Sequence, residues 1–460
     1  MKIRMTALLC ISLICTSIFC ISCRQAPAQS QPADKYVPIL KKAIYNDYKQ
    51  MFRPASGMLR YPFITPGSDQ YANDLWDWDS WLTNIALRQI ITDKGNVKEQ
   101  TEAIAYERGC ILNFLSFGGS DGYIPIVIWN NANPRSQMPE NIYKANMHKP
   151  VLAQHAAFLV KQDNGNAEWL REKFYYMQAF MNNYKMHHRN KPTGLYYWQN
   201  DVAIGVDNDP STFFRPPGSS ASIYLNCLMY KELLAMVYLA KCLNQGEIAK
   251  EFEADAAALK AAIQEHCWDE RDGFFYSVDI NLMPISEEKA PVLGMNMVIH
   301  SGAPRNYDCL IQRLGVWSGF LAMWAGIATP EQAKRMVEEH FKNAKTFNAP
   351  YGVRTLSKME KMYSVKASGN PSSWLGPIWG ISNYFVYKGL VKYGFKPEAT
   401  ELANKTIILF GKDIEKHGAL HEYYEPESGE PILNKGFQNW NYLVLNMIAQ
   451  QEGRKLIEEF

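Results

Sequence analysis

Apolar residues recur at three- and four-residue spacing along most of the chain. "YVPILKKAIYNDYKQMF", "WLTNIALRQII", "TEAIAYERGCILNFLSF", "PVLAQHAAFLVKQ" and "AEWLREKFYYMQAFMNNY" carry the pattern in the first half. "SIYLNCLMYKELLAMVYLAKCL", "IAKEFEADAAALKAAIQEHCW", "GPIWGISNYFVYKGLVKYG" and "PEATELANKTIILFGKDIEK" continue it, with shorter runs at "GVWSGFLAMWAGI", "PEQAKRMVEEHF" and "NWNYLVLNMIAQQEG". The spacing predicts about a dozen helices of ~11 to 22 residues, spread evenly from residue 36 to residue 452. Strand patterning is confined to "DGYIPIVIW" and "DGFFYSVDI". No Pro/Ser-rich linker or charge block divides residues 36–460, which read as one domain. Long loops separate the helices, and loops of that length in a compact helical protein are usually functional. A toroid of helical hairpins with its working loops on one face fits this pattern. Periodicity by itself fits a helical solenoid equally.

The first residues read as a targeting segment. Met1 to Ser22 has Lys2 and Arg4 and then an uncharged run, "TALLCISLICTSIFCIS", which is short for a membrane-spanning helix of ~20 residues and suits a secretory h-region. "CISC", ending at Cys23, resembles a bacterial lipobox, which implies cleavage before Cys23 and lipid on its thiol. Residues 24–35, "RQAPAQSQPADK", read as a flexible tether. Arg24 stands where an inner-membrane retention signal would have Asp, so the expected location is the outer membrane of a Gram-negative-type cell, on its periplasmic side or at the surface.

Charge and cysteine content narrow the partners. Lys and Arg number 48 against 46 Asp and Glu, and removal of Lys2 and Arg4 brings the chain to balance. A neutral chain is a poor match for nucleic acid or a polybasic membrane contact, leaving the lipid as the one expected membrane attachment. Cys110, Cys227, Cys242, Cys267 and Cys309 remain beyond the N-terminal segment. They are odd in number and sit mostly within apolar helical runs, so they read as buried thiols with no disulfide framework. No cluster shows His/Cys/Asp metal-ligand spacing, and neither metal nor cofactor is expected. A monomer is the default state.

Four loops share an acid-and-aromatic composition. "DLWDWDSWL" sets Asp74, Asp77 and Asp79 among Trp76, Trp78 and Trp81. "YYWQNDVAIGVDNDP" holds Trp198, Asp201, Gly205, Asp207 and Asp209. "SSWLGPIWG" contributes Trp374 and Trp379, and "HEYYEPESGEP" places Glu422 ahead of Tyr423 and Tyr424. Indole faces stack on the C–H faces of sugar rings, and carboxylates accept hydrogen bonds from hydroxyls. Each piece also has an ordinary structural reading: tryptophan in the core, Asp79 as a helix N-cap, "DNDP" as an Asx turn. The four together point to carbohydrate.

"WDWDSWL", "GVDNDP", "PYGVRTLS", "SSWLGPIWGISNYFVYKGL" and "EYYEPESGEP" occur in the order found in six-hairpin toroid glycosidases, and the chain from about Tyr61 to Asn446 resembles glycoside hydrolase family 63 and its mannosylglycerate hydrolase-like relatives, with trehalases further off. The resemblance implies an all-α (α/α)6 barrel with short β-hairpins in its loops, hydrolysing an α-linked glucoside or mannoside with inversion. It carries the general acid over to Asp207 and the general base to Glu422. It places Trp76, Trp78 and Asp79 at the sugar, Trp374 and Trp379 as pocket walls, and Trp198, Gly205 and Arg354 as further contacts. The chain departs from the family pattern at Ala203 and Ile204, at "FQNWN", and at "HKPVLAQ", where His148 stands in place of an amide as a substrate contact.

Inverting hydrolysis needs a protonated carboxyl at the leaving oxygen and a carboxylate ~6.5 to 9.5 Å away that holds a water. An ordinary Asp, with a pKa of ~3.9, is ionised at neutral pH. The acid role therefore requires Asp207 to be raised, by burial against Trp198 and by repulsion from Asp209 or Glu422, while Glu422 stays ionised. Asp201 and Asp209 compete for that role on composition alone. Two other readings stay open: a toroidal sugar isomerase or epimerase, which would need histidines facing each other across the bore, and a non-catalytic surface protein that captures glycans.

Overall fold

The structure, a computed structural model, describes residues 33–138, 140–282, 286–292, 295–301, 306–366 and 371–460. The N-terminal apolar run and Cys23 lie outside the described residues.

Helices alternate along the chain between an outer and an inner ring. The outer ring comprises Val37–Asp47, Val97–Leu115, Phe174–His187, Gly246–Cys267, Pro330–Arg335 with its continuation Met336–Phe341, and Lys396–His417. The inner ring comprises Asp77–Lys94, Leu152–Gln162, Ile223–Cys242, Leu321–Trp324, Gly380–Lys392 and Val444–Gln451. Each inner helix packs on the next, and Val444–Gln451 returns to Asp77–Lys94 and closes the ring. This is the (α/α)6 toroid, and closure separates it from an open solenoid.

The sequence explains which helices go inside. An outer helix such as Lys396–His417 is amphipathic and buries Ala399, Leu402, Ala403, Thr406, Ile407 and Phe410 along one stripe. Inner helices are buried on nearly every side, polar residues such as Asn84 and Gln89 included. Ile223–Cys242 is long and apolar enough to cross a membrane by length and composition, but here it is a buried inner helix. The inner segments "GVWSGFLAMWAGI" and "NWNYLVLNMIAQQEG" begin as 3-10 turns, Trp317–Phe320 and Asn439–Leu443, before their α-helical portions.

Short strand pairs feed the inner helices at one mouth of the toroid. Leu75–Trp76 pairs with Val127–Ile128 directly before Asp77. Ile378–Trp379 pairs with Tyr423–Tyr424 directly before Gly380, which sets Glu422 beside that helix start. Ser220–Ala221 pairs with Val278–Asp279 ahead of Ile223. The two expected strand regions supply Val127–Ile128 and the pieces Phe274–Phe275 and Val278–Asp279. A longer antiparallel hairpin, Ser286–Val292 with Met295–Ser301, was not expected, because "SEEKAPV" carries charges and a proline and lacks strand alternation.

The opposite mouth is closed by residues 454–460. Ile457 is buried, its N–H donates to Gln89 Oε1 (2.8 Å), and its carbonyl accepts from Asn446 Nδ2 (2.8 Å). Glu459 accepts from Trp324 Nε1 (3.0 Å) and Tyr384 Oη (2.7 Å), residues of two inner helices. Burial alone would push the Glu459 carboxyl up, yet Lys388 and the Tyr384 hydroxyl hold it below the ordinary range. Among the described residues, the toroid is therefore covered at this end, and its cavity lies where the inner helices begin.

Candidate active site

The floor of the open mouth is a cavity of about 260 Å3. Five of the inner-helix entry segments supply its walls: Trp76, Trp78 and Asp79; Lys149; Gly205 and Asp207; Ser372, Trp374 and Trp379; Glu422, Phe437 and Trp440. Tyr71 and Ala203 complete it. Helix N-termini carry partial positive charge and unsatisfied N–H groups, so acids collected at this end sit in a favourable field.

The aromatic walls are ordered by mutual stacking. Trp374 lies flat on Trp379 (4.1 Å between centroids, 13°), which in turn stacks on Tyr423 (4.9 Å, 21°). Trp78 meets Trp440 edge-on at 5.2 Å, and Tyr71 stands edge-on to Trp76 and to Phe437, each at 5.9 Å. The indole N–H groups of Trp76, Trp374 and Trp440 have no hydrogen-bond partner among the described residues. A buried donor of that kind costs free energy unless something accepts from it, and three of them beside three carboxylates suit a polyhydroxylated ligand.

One buried ion pair fixes the cavity floor. Lys149 Nζ donates to both oxygens of Asp77 (2.8 and 3.1 Å), and the Lys149 and Trp78 backbone N–H groups donate to the same carboxylate (2.9 and 2.8 Å). The Lys149 side chain is 3% exposed and that of Asp77 is 0%. Gly205 lies against this pair with φ 92°, and a Cβ there would fall 2.7 Å from both Lys149 Cε and the Trp78 ring. The "GVDN" loop reaches the floor because this position has no side chain.

Of the three aspartates in that loop, the structure brings only Asp207 to the cavity. Asp209 is buried and caps a turn, accepting from the Ser211 N–H (2.8 Å). Asp201 accepts from the Asn208 N–H (3.2 Å), and burial pushes its carboxyl up to about 7. Asn208, at φ 54°, accepts from the Trp374 N–H (2.9 Å), tying the Asp207 loop to the tryptophan wall.

Asp79 and Glu422 face Asp207 in the same cavity. Asp79 is not an N-cap, since its helix begins at Asp77 with Trp76 at the cap. It accepts from Asn439 Nδ2 (2.6 Å), and burial raises it to about 7 against the pull of Lys149. Glu422 is 4% exposed and accepts from Asn434 Nδ2. Burial, reinforced by the negative charges of Asp79 and Asp207, pushes it up to about 8 despite the hydrogen bonds from Asn434 and Ser372. Burial thus runs against the expectation that Glu422 is ionised at neutral pH. Tyr71 is pushed up by burial and by Glu422, Asp79 and Asp207, which places its hydroxyl among all three.

Three expected contacts lie elsewhere. Trp198 is buried behind the wall in a tilted contact with Tyr224 (6.2 Å), so it does not border Asp207 in the cavity. Arg354 is buried and spends its guanidinium on Glu427 (2.6 Å) and on the Asn348 and Ala344 carbonyls. His148 turns its Nδ1 to the Lys149 carbonyl (2.6 Å), packs edge-on to Phe114 (4.6 Å), and is held by burial at about 4. The cavity residue is its neighbour, Lys149. Sequence reasoning passed over Lys149, Tyr71, Ser372, Phe437 and Trp440, although the departures at "HKPVLAQ" and "FQNWN" flagged two of those loops. It also passed over the grouping of Asp413 and His417 with His421, spaced four and four along the chain and gathered behind the Glu422 strand.

A closed ring of six inner and six outer helical segments around one acid-lined, indole-walled well defines the architecture of the six-hairpin glycosidases. The family profile "Mannosylglycerate hydrolase MGH1-like glycoside hydrolase domain" matches residues 71–441, and the chain belongs to that family. Among solved structures, the GH63 mannosylglycerate hydrolase from Thermus thermophilus in complex with glucose superposes with a TM-score of 0.59 at 18% identity, covering 90% of this chain and 99% of that one. The neutral trehalase from Saccharomyces cerevisiae superposes with a TM-score of 0.56 at 17% identity, covering 84% and 73%. At such identities the likeness is one of fold. In sequence, a cytosolic neutral trehalase of Kluyveromyces lactis is 25% identical over 45% of this chain, and a probable mannosyl-oligosaccharide glucosidase of Schizosaccharomyces pombe is 22% identical over 77%. The matches span 25% and 40% of those relatives' own lengths.

Lys149→Met leaves the Asp77 charge buried without its partner. It is expected to lower unfolding free energy by about 3–5 kcal/mol. Asp77→Asn combined with Lys149→Met is expected to recover part of that loss in a urea-denaturation double-mutant cycle. Strict additivity of the two changes would show that the pair is not coupled.

Proposed function

We propose that the protein hydrolyses an α-linked glucoside or mannoside with inversion at the anomeric carbon. In this reading Asp207 protonates the leaving oxygen, and Glu422, once ionised, draws a proton from the attacking water. The observation that carries it is the meeting of Asp207 and Glu422, from loops far apart in sequence, at one small blind cavity walled by indoles. A sugar seated against Trp374 would offer its hydroxyls to Asp79 and to the free indole N–H groups. The blind floor leaves room for a terminal sugar unit, and the open mouth takes the leaving group. Family membership and the relatives named trehalase and glucosidase support a glycosidic substrate.

An isomerase reading loses support, because no histidine is among the described residues lining the cavity. A purely glycan-capturing role would leave three mutually repelling carboxylates, Asp79 and Glu422 among them buried, unexplained.

Asp207→Asn and Glu422→Gln are each expected to reduce turnover by at least ~10^3-fold, with sugar binding retained. Proton NMR of the first-formed anomer on α-gluco- and α-manno-disaccharides would show inverted product. Retention of configuration, or near-full activity in either variant, would remove the two-carboxylate assignment.

The raised Glu422 sets the pH dependence. A base acts only when deprotonated, so kcat/KM should be present above the Glu422 pKa and fall as pH drops through it. The acid limb is expected at neutrality or above, well over the ordinary glutamate value of 4.5, and Asp79→Asn should move it down by removing a negative neighbour. A limb near 4.5 in the unmodified protein would contradict the role of burial.

From sequence alone we further infer that Cys23 carries the lipid and that the domain is held at the outer membrane. Cys23→Ser should shift the protein from the membrane to the soluble fraction on fractionation, and unchanged membrane partitioning would refute the anchor.

A further inference from the structure

The structure assigns a divalent transition-metal site to Asp413, His417 and His421, on the outer face behind the Glu422 strand. Asp413 and His417 lie one turn apart at the end of the helix Lys396–His417. Gly418, in the left-handed conformation at φ 77°, stops that helix and turns the chain so that His421 folds back over Asp413. His417 Nδ1 is 2.9 Å from Asp413 Oδ1, and His421 Nδ1 is 3.0 Å from both Asp413 oxygens. All three ligand atoms lie within 4.8 Å of one another. A tetrahedral shell with bonds of ~2.0–2.1 Å separates its ligand atoms by roughly 3.3 Å, so an ion enters with small side-chain adjustments.

Charge favours a cation here. The Asp413 side chain is 1% exposed, and its ion-pair partners among the described residues are these two histidines, with no lysine or arginine. A buried carboxylate without a permanent counter-charge is costly. Two imidazoles converging on one carboxylate oxygen form a nitrogen-rich donor set suited to zinc-like ions and poorly suited to calcium or magnesium. The carboxylate is oriented from behind by the Tyr424 hydroxyl (2.7 Å) and the His421 N–H (3.0 Å), the outer hydrogen bonding that metal ligands use. On the open side a cavity of about 340 Å3, bordered by Asp413, His417 and Glu430, admits the ion and the waters that complete its shell.

Binding displaces any proton on the two Nδ1 atoms into solvent and replaces two hydrogen bonds with coordinate bonds. The ion would clamp the end of the outer helix to His421, the residue directly before Glu422. The site rests on its own geometry and stands whichever reaction the cavity performs.

The test is a Zn2+ titration of the full chain, stripped with EDTA and followed by calorimetry, with Co2+ visible absorption as a second readout. One equivalent should bind saturably, Co2+ should give the intense d–d bands of a low-coordinate nitrogen site, and melting temperature should rise with metal. His417→Ala and His421→Ala should each weaken Zn2+ binding by about 100-fold or more and abolish the bands. His417 is part-exposed at the helix end, so its variant should keep the unaltered far-UV spectrum and carries the test if His421→Ala does not fold. Absence of saturable binding below millimolar Zn2+, or His417→Ala binding within about 3-fold of the unaltered protein, would overturn the assignment.

Discussion

The buried pair Asp77–Lys149 is the constraint on which the working end of the toroid depends. It joins the first residue of one inner helix to the segment that enters the next, with both side chains almost wholly buried. Lys149 is also the nearby positive charge that opposes the rise in Asp79, and its side chain forms the surface against which Gly205 closes. A buried pair of this kind is a weak source of net stability, because desolvation offsets most of the attraction. What it supplies is position. Two helix starts, the Trp78 ring and the "GVDN" loop share a single reference point, and Asp207 follows Gly205 by two residues.

That geometry sets up the proton balance of the cavity. Among the described lining residues, Asp79, Asp207 and Glu422 share the space with one cation, and that cation is already committed to Asp77. Burial, reinforced at Glu422 by its acidic neighbours and opposed at Asp79 by Lys149, pushes the two to about 8 and 7. An acid and a base in one small site need protonation states held apart, and mutual repulsion among close carboxylates accomplishes this without any external group. In the proposed reading, sugar hydroxyls that accept from the indole N–H groups would also donate to the carboxylates.

The fold was legible because the rules that decide it are local and redundant. Three-to-four periodicity located the helices, and the all-round apolarity of Ile223–Cys242 agrees with its interior place. Closure of the ring was not written in periodicity. It depends on Val444–Gln451 meeting Asp77–Lys94, a contact between the two ends of the domain. The hairpin Ser286–Val292 with Met295–Ser301 was hidden for the opposite reason, since its pairing overrides a composition that disfavours strand.

The site divided along a different line. Trp76, Trp78, Asp79, Gly205, Asp207, Trp374, Trp379 and Glu422 were visible as residue types in four composed loops, and all of them line the cavity. Trp198 and Arg354 have the same composition and nearby positions but point into the protein, and the outcome turns on side-chain direction that one-dimensional reading does not carry. His148 and Lys149 make the point most sharply. Though adjacent in the chain, the histidine packs on Phe114 while the lysine borders the cavity. The chemistry a loop can perform is written in its composition. Which of its residues performs it is decided by what the neighbouring helix start leaves room for, and at Gly205 that room is a single missing methyl group.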